Sequence, residues 1–238
     1  MKLDILAFAA HPDDVELSAS GTLLKYIAEG KKVGIIDLTR GELGSRGTAT
    51  TRSLEAENAG KLMGLSVRDN LDLADGFFDD SFDTKMRIIQ QIRKYQPDIV
   101  LANAMSDRHP DHGRAGKIVA DASFLSGLLK IQSAEDDIPQ ALFRPQLLLH
   151  YIQDHYLKPD IVIDVSDFME QKIEVIKAFT TQFYDPNFDG PETPISGEDF
   201  FDFIKGRMMT LGRPIGAKYA EGFTCDRILG VDDLFDLR

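Results

Sequence analysis

Two short stretches of this 238-residue sequence concentrate groups that bind metals or move protons. Residues 11–14 read His-Pro-Asp-Asp, and residues 109–112 read His-Pro-Asp-His. Three of the five histidines fall in these two motifs. The first motif ends an apolar run, where charge is costly unless it is paired or holds a metal, and the second follows another such run by a few residues. A His/Asp/His set suits a catalytic zinc centre, which takes three N or O ligands and leaves a fourth position open. The motifs offer more than that: His11, His109, His112, Asp13, Asp14 and Asp111. Adjacent Asp13 and Asp14 cannot easily both chelate, so one can ligate while the other faces a bound water as a base. His109 and His112 can divide the work between ligation and polarising a substrate oxygen, with Asp111 orienting an imidazole. One such motif alone reads as a turn and a helix cap. Its recurrence at two strand ends favours a site.

The elements that must position these residues follow from the apolar patterning. Residues 4–10, 32–38 and 98–104 are nearly all apolar, as expected of central parallel strands covered on both faces. Helical patterns over 20–30, 51–64 and 83–95 separate them, stopped at Gly30, at Gly64 and before Gln96-Pro97. The alternation predicts a doubly wound, mostly parallel α/β sheet of Rossmann-like type, with helices on both faces. Ligands bind such sheets beyond the carboxyl ends of the strands, where both motifs lie. Further on, 113–130 reads as a helix, 146–153 and 160–165 as strands, and 166–179 as a helix that Ser166 or Asp167 could cap. Residues 184–199 read as a long loop and 199–212 as a last helix, a smaller C-terminal extension. Residues 131–140 read as a surface loop, and 1–238 as a single domain.

The net charge of −12 argues against a nucleic-acid partner, since phosphate backbones call for basic patches. It leaves room for a small anionic substrate held by one or two local cations. The one cysteine, Cys225, reads as structural and forms no internal disulfide, which fits a cytoplasmic setting. No apolar run approaches the ~20 residues of a membrane span. Residues 39–52 form a Gly-rich loop with three arginines but no phosphate-loop pattern. The loop reads either as a solvated connection or as a substrate wall carrying Arg46 and Arg52. His150 and His155 read as ordinary polar residues.

The sequence resembles the zinc-dependent N-acetylglucosaminide deacetylases of the LmbE-like (PIG-L) family. The residues that carry this are AHPDDVE, DLTRGELGSRGT, the arginine of TATTR, DRHPDHG and, near the end, YAEGF. GELGSRGT and DRHPDHG look most like the branch of bacillithiol biosynthesis, which removes acetate from N-acetylglucosaminyl malate. The resemblance implies that His11, Asp14 and His112 hold zinc and that Asp13 is the general base. It makes His109 the stabiliser of the oxyanion with Asp111 as its partner, and places Arg52 at the substrate pocket. An anionic substrate would be held by Arg52 with help from Arg46 or Arg108. Phe200 stands where some relatives carry an oxyanion-assisting tyrosine. The family is often trimeric or hexameric, which implies a homo-oligomer. Fe2+ or another divalent ion suits the same donors. The competing readings are an amidase of another N-acyl sugar, such as a chitooligosaccharide or a thiol conjugate, and a sugar- or metal-binding module without turnover.

Overall fold

The computed structural model describes residues 1–185 and 190–237. Strands β1 (Ile5–Ala9), β2 (Val33–Thr39), β3 (Val67–Leu73) and β4 (Ile99–Asn103) alternate with helices α1 (Asp14–Ala28), α2 (Ala49–Met63), α3 (Phe82–Tyr95) and α4 (Pro110–Leu125). A small antiparallel pair, β5 (Ala134–Glu135) and β6 (Ile138–Pro139), stands apart within the expected surface loop. Then come β7 (Leu147–Tyr151), β8 (Ile161–Asp164), α5 (Met169–Lys177), α6 (Phe200–Gly212) and β9 (Ala220–Thr224). Seven strands form one sheet in the order β3-β2-β1-β4-β7-β9-β8. Its first five are parallel and β9 runs antiparallel to both neighbours. The C-terminal part therefore completes the main sheet.

Alternation along β1 explains the two layers. Ile5, Ala7 and Ala9 point into a core shared with α1, α2 and α5, while Leu6, Phe8 and Ala10 point into one shared with α3 and α4. The winding reverses between β1 and β4, which pair directly (Ile5 with Ile99, Ala7 with Leu101). Both histidine motifs follow these two strands, at the switch point where α/β sheets bind ligands. Gly116 lets α4 approach β4 closely, for a Cβ there would stand 2.6 Å from the carbonyl oxygen of Asn103.

Three expectations change. The first helix begins at Asp14, not near residue 20, so Asp14 sits in its first turn. Strands β3 and β9 escaped detection because neither is a continuous apolar run: β3 is mostly polar, and β9 is short and carries Glu221. In β3, Arg68 donates to Asp37 at 2.8 and 3.0 Å and pairs with Glu16. Neither Ser166 nor Asp167 caps α5, whose flanking residue is Phe168. Ser166 instead donates through N and Oγ to Asp164.

Candidate active site

The chain leaves β1 and enters α1 through a strained turn. Asp13, the residue before α1, has φ 115°, a left-handed conformation that non-glycine residues seldom adopt and that collects at functional sites. Its side chain makes no capping bond. The Asp14 carboxylate is held from three sides: its Oδ2 accepts from the His11 N–H (2.9 Å) and Asn103 Nδ2 (3.0 Å), and its Oδ1 from Gln153 Nε2 (2.7 Å). Asn103 also accepts from the Ala10 N–H through its side chain (2.9 Å), which ties the ends of β1 and β4 together. After β4, His109 caps α4 by accepting the Asp111 N–H on Nδ1 (3.2 Å), with Pro110 in the first turn, a common N-terminal arrangement.

These two helix starts bring the predicted residues together. Ring centroids of His11, His109 and His112 lie 4.7–5.4 Å apart. His112 Nε2 is 3.1 Å from Asp14 Oδ1, and its Nδ1 is 2.6 Å from Asp107 Oδ2. His11 Nδ1 is 3.7 Å from Asp14 Oδ2, and its Nε2 is 3.0 Å from Asp75 and 3.4 Å from Asp111. The Asp111 carboxylate thus faces His11, not the His109 ring expected as its partner. Its oxygens are turned away by the Gly76 N–H (2.8 Å) and by Arg114 (2.7 Å).

Burial alone would lower the pKa of His11 and His112. Asp111, Asp14 and Asp75 outweigh it at His11, which is raised well above its ordinary value. Asp14 and Asp107 outweigh it at His112, which is raised to about 9. For Asp14, burial opposes ionisation, but His112 and His11 hold the carboxyl well below its usual range. Burial lowers His109, with His11 and His112 adding to the effect. Burial pushes Asp13 up to about 7 against the pull of Arg52.

The arginines divide sharply. Arg52 is buried and committed: it donates to the Gly41 carbonyl (3.1 Å), the Pro12 carbonyl (2.6 Å) and Asp13 Oδ2 (2.9 Å). Gly41, at φ +63°, makes room, for a Cβ there would stand 1.8 Å from Arg52 Nη1. Arg108 is exposed, lines the cavity and pairs with Asp154. Arg46 is buried away from the cavity lining, and its carbonyl accepts from Gln182 (2.7 Å).

The cavity, about 230 Å3, opens from the histidines along α1 to α6, whose Phe200 lines it and stacks on Phe183 with centroids 5.8 Å apart. In its wall, a buried pair bonds to the backbone of α1. Lys172 donates to the Leu17 carbonyl (2.8 Å) and to Glu221 (2.6 Å), and Glu221 accepts from the Gly21 and Thr22 N–H groups (2.9 and 2.7 Å). The other histidines lie outside this cluster. His150 is buried with Nδ1 2.7 Å from the Asn103 carbonyl oxygen, and His155 is exposed, its N–H donating to Asp107 (2.7 Å).

The donor set fits a divalent ion. Ring nitrogens of His11, His109 and His112 lie within 4.8 Å of one another, as do donor atoms of His11, Asp75 and Asp111. Donors on one tetrahedral ion with bonds of about 2.0–2.1 Å stand roughly 3.3 Å apart. The Asp14 Oδ1 contact to His112, at 3.1 Å, is close to that spacing, and the contact to His11, through the other oxygen, is longer at 3.7 Å. The cluster is also braced from behind, His112 by Asp107 and Asp14 by Asn103 and Gln153, as metal ligands commonly are. Sequence reasoning missed Asn103, Asp75, Asp107 and Gln153. Only Asp107, within DRHPDHG, carried a signal.

Residues 6–123 match the family model PIG-L, GlcNAc-PI de-N-acetylase. The chain belongs to the PIG-L family. Its fold is similar to that of the conserved protein TT1542 from Thermus thermophilus, with a TM-score of 0.84 and 34% identity, covering 97% of this chain and 98% of that one. It is 26% identical to the diacetylchitobiose deacetylase of Thermococcus kodakarensis over 233 residues, 92% of this chain and 81% of that protein. It is also 24% identical to a 4-oxalmesaconate hydratase of Pseudomonas putida over 193 residues, 74% of this chain and 73% of that protein. Relatives of this PIG-L chain thus carry the names of different activities, and its own rests on the chemistry of its site.

Proposed function

We propose that this protein is a metal-dependent hydrolase of the N-acetyl group of a glucosaminide. The substrate we assign is N-acetylglucosaminyl malate, and the products are acetate and the free amine. The observation that carries the reading is Asp13. It is a buried carboxyl beside the His/Asp cluster that the cluster does not use, held by Arg52 on a strained turn. A binding module has no need of such a base.

His11, Asp14 and His112 are the residues we assign to the ion, with zinc as its identity. A bound divalent ion would polarise the acyl oxygen and make water easier to deprotonate. Asp13 takes a proton from the attacking water and returns it to the departing amine nitrogen, so the two transfers cancel over the cycle. Arg52 fixes the Asp13 carboxylate through a two-point hold that includes the Pro12 carbonyl. His109 accepts a backbone N–H on Nδ1, so its neutral ring carries the proton on Nε2. That proton is available to the acyl oxygen as negative charge develops there. Asp111 acts through His11, which it faces, and holds the turn at Gly76.

The malate assignment draws on GELGSRGT and DRHPDHG. The test is release of amine, detected with fluorescamine, from N-acetylglucosaminyl malate and from free N-acetylglucosamine, with and without chelator. Chelator-sensitive release with a strong preference for the conjugate is expected. Absence of release from every N-acetylated glucosaminide would overturn the reading.

A further inference from the structure

Helix α6 turns one stripe toward the cavity: Phe200, Phe203, Ile204, Arg207, Met208 and Leu211 all line it. Their spacing, at three and four residues, is that of a single helix face. Arg207 is the one charged residue in this apolar stripe. Four lysines and arginines line the cavity, and three have a carboxylate partner: Arg52 has Asp13, Arg108 has Asp154 and Lys172 has Glu221. Among the described residues Arg207 has none within 4.0 Å. One Nη2 proton goes to the Asp154 carbonyl (3.2 Å), and the guanidinium lies 4.9 Å from the centre of the Phe203 ring. The remaining donors of its five-donor fork are uncommitted. The acids whose charges act on it, Asp154 and Asp107, are already engaged by Arg108 and His112. Ser18, four residues beyond Asp14 on α1, adds a buried hydroxyl without a partner to the same cavity wall.

We propose that Arg207 is the specificity-determining residue of the cavity, binding an anionic substituent on the part of the substrate remote from the acyl group. The inference rests on the reading of this site as a de-N-acetylase. It also moves the anion-binding role from Arg52, whose guanidinium is held by Asp13, to α6. An apolar surround strengthens a guanidinium–anion contact by excluding competing water. The protein's charge of −12 makes a local cation necessary for any anionic substrate. Carboxylate and phosphate share this chemistry, and a planar fork suits both.

Three N-acetylglucosaminides that differ only in the aglycone test the assignment: a methyl glycoside, a dicarboxylate conjugate and a phosphate. In the wild type, kcat/KM should favour one of the anionic substrates. Arg207→Gln should remove that preference by roughly tenfold or more, mainly through KM, and leave the methyl glycoside within about twofold. Arg207→Lys, which keeps the charge but not the fork, should fall between. The better anion in the wild type tells carboxylate from phosphate. Equal losses on all three substrates, or no anionic preference in the wild type, would overturn the proposal. If none of the three is hydrolysed, the de-N-acetylase reading fails and anion binding is read directly by titration calorimetry with malate and with inorganic phosphate. Binding that Arg207→Gln weakens at least tenfold would support the site. Binding unchanged by the substitution, or none, would overturn it.

Discussion

Replacing Arg52 by methionine in the metal-free protein should produce a stability defect that grows with pH. The pair it breaks is buried on both sides, Arg52 at 5% exposure and Asp13 at 5%. Burial raises the Asp13 carboxyl from 3.8 to about 7 even with Arg52 in place. Because the folded-state pKa is the higher one, the protonated carboxyl favours the fold below pH 4. That contribution is lost as pH rises toward 7, by about 4 kcal/mol across the interval. Without Arg52 the folded-state pKa rises further, so the loss continues above pH 7 in the variant while it has levelled off in the wild type. The gap between the two should therefore be smallest near pH 5, where it reflects only the lost bonds to the Gly41 and Pro12 carbonyls, and widen from pH 7 to pH 9. Its upper bound is the roughly 3–5 kcal/mol of a broken buried pair, on the order of 10 °C in Tm for a chain of this size. Groups that Arg52 does not reach cancel in the difference, and Asp75, which it also lowers, titrates below this pH range. The assay is urea unfolding of wild type and Arg52→Met across this pH range, repeated in an Asp13→Asn background. There the gap should become independent of pH. A gap that does not change with pH, or that persists unchanged with Asp13→Asn, would refute the coupling.

Gly41→Ala should displace the same guanidinium, since its Cβ would lie 1.8 Å from Arg52 Nη1 on a backbone at φ +63°. A loss of at least about 1–2 kcal/mol by thermal unfolding, with reduced turnover, is expected, and wild-type behaviour would show that the arginine can relocate. His11→Ala and His112→Ala should each lose most bound metal by elemental analysis, and full retention in both would overturn the ligand assignment. Lys172→Met should destabilise by roughly 3–5 kcal/mol, because Glu221 is left charged and buried against α1. Lys172→Met with Glu221→Gln should recover part of that loss, and strict additivity would show that the two groups act separately.

The sheet and the meeting of the two histidine motifs were legible because each depended on a strong local signal. Strands β1, β2 and β4 are continuous apolar runs, and the switch between β1 and β4 follows from βαβ winding. Strands β3 and β9 were hidden by residues whose partners are remote: Arg68 reaches Asp37 and Glu16, and Glu221 reaches Lys172. The roles of Asn103 and Gln153 depend on bonds to Asp14 across 89 and 139 residues, and nothing in their own neighbourhood announces them. Arg52 was found by its motif, but its place against Asp13 depends on the turn at Gly41. Arg207 lies in a helical stripe visible in the sequence, and only the fold shows that the stripe faces the site.

The central claim is that Asp13 carries the proton of the hydrolysis while taking no part in holding the metal. Asp13→Asn is nearly isosteric, and asparagine tolerates the left-handed backbone at this position. The decisive measurement pairs metal content by elemental analysis with kcat for amine release from N-acetylglucosaminyl malate. The account predicts unchanged metal stoichiometry with kcat reduced by roughly 10²–10⁴-fold. Near-wild-type turnover, or loss of the metal together with the activity, would contradict it.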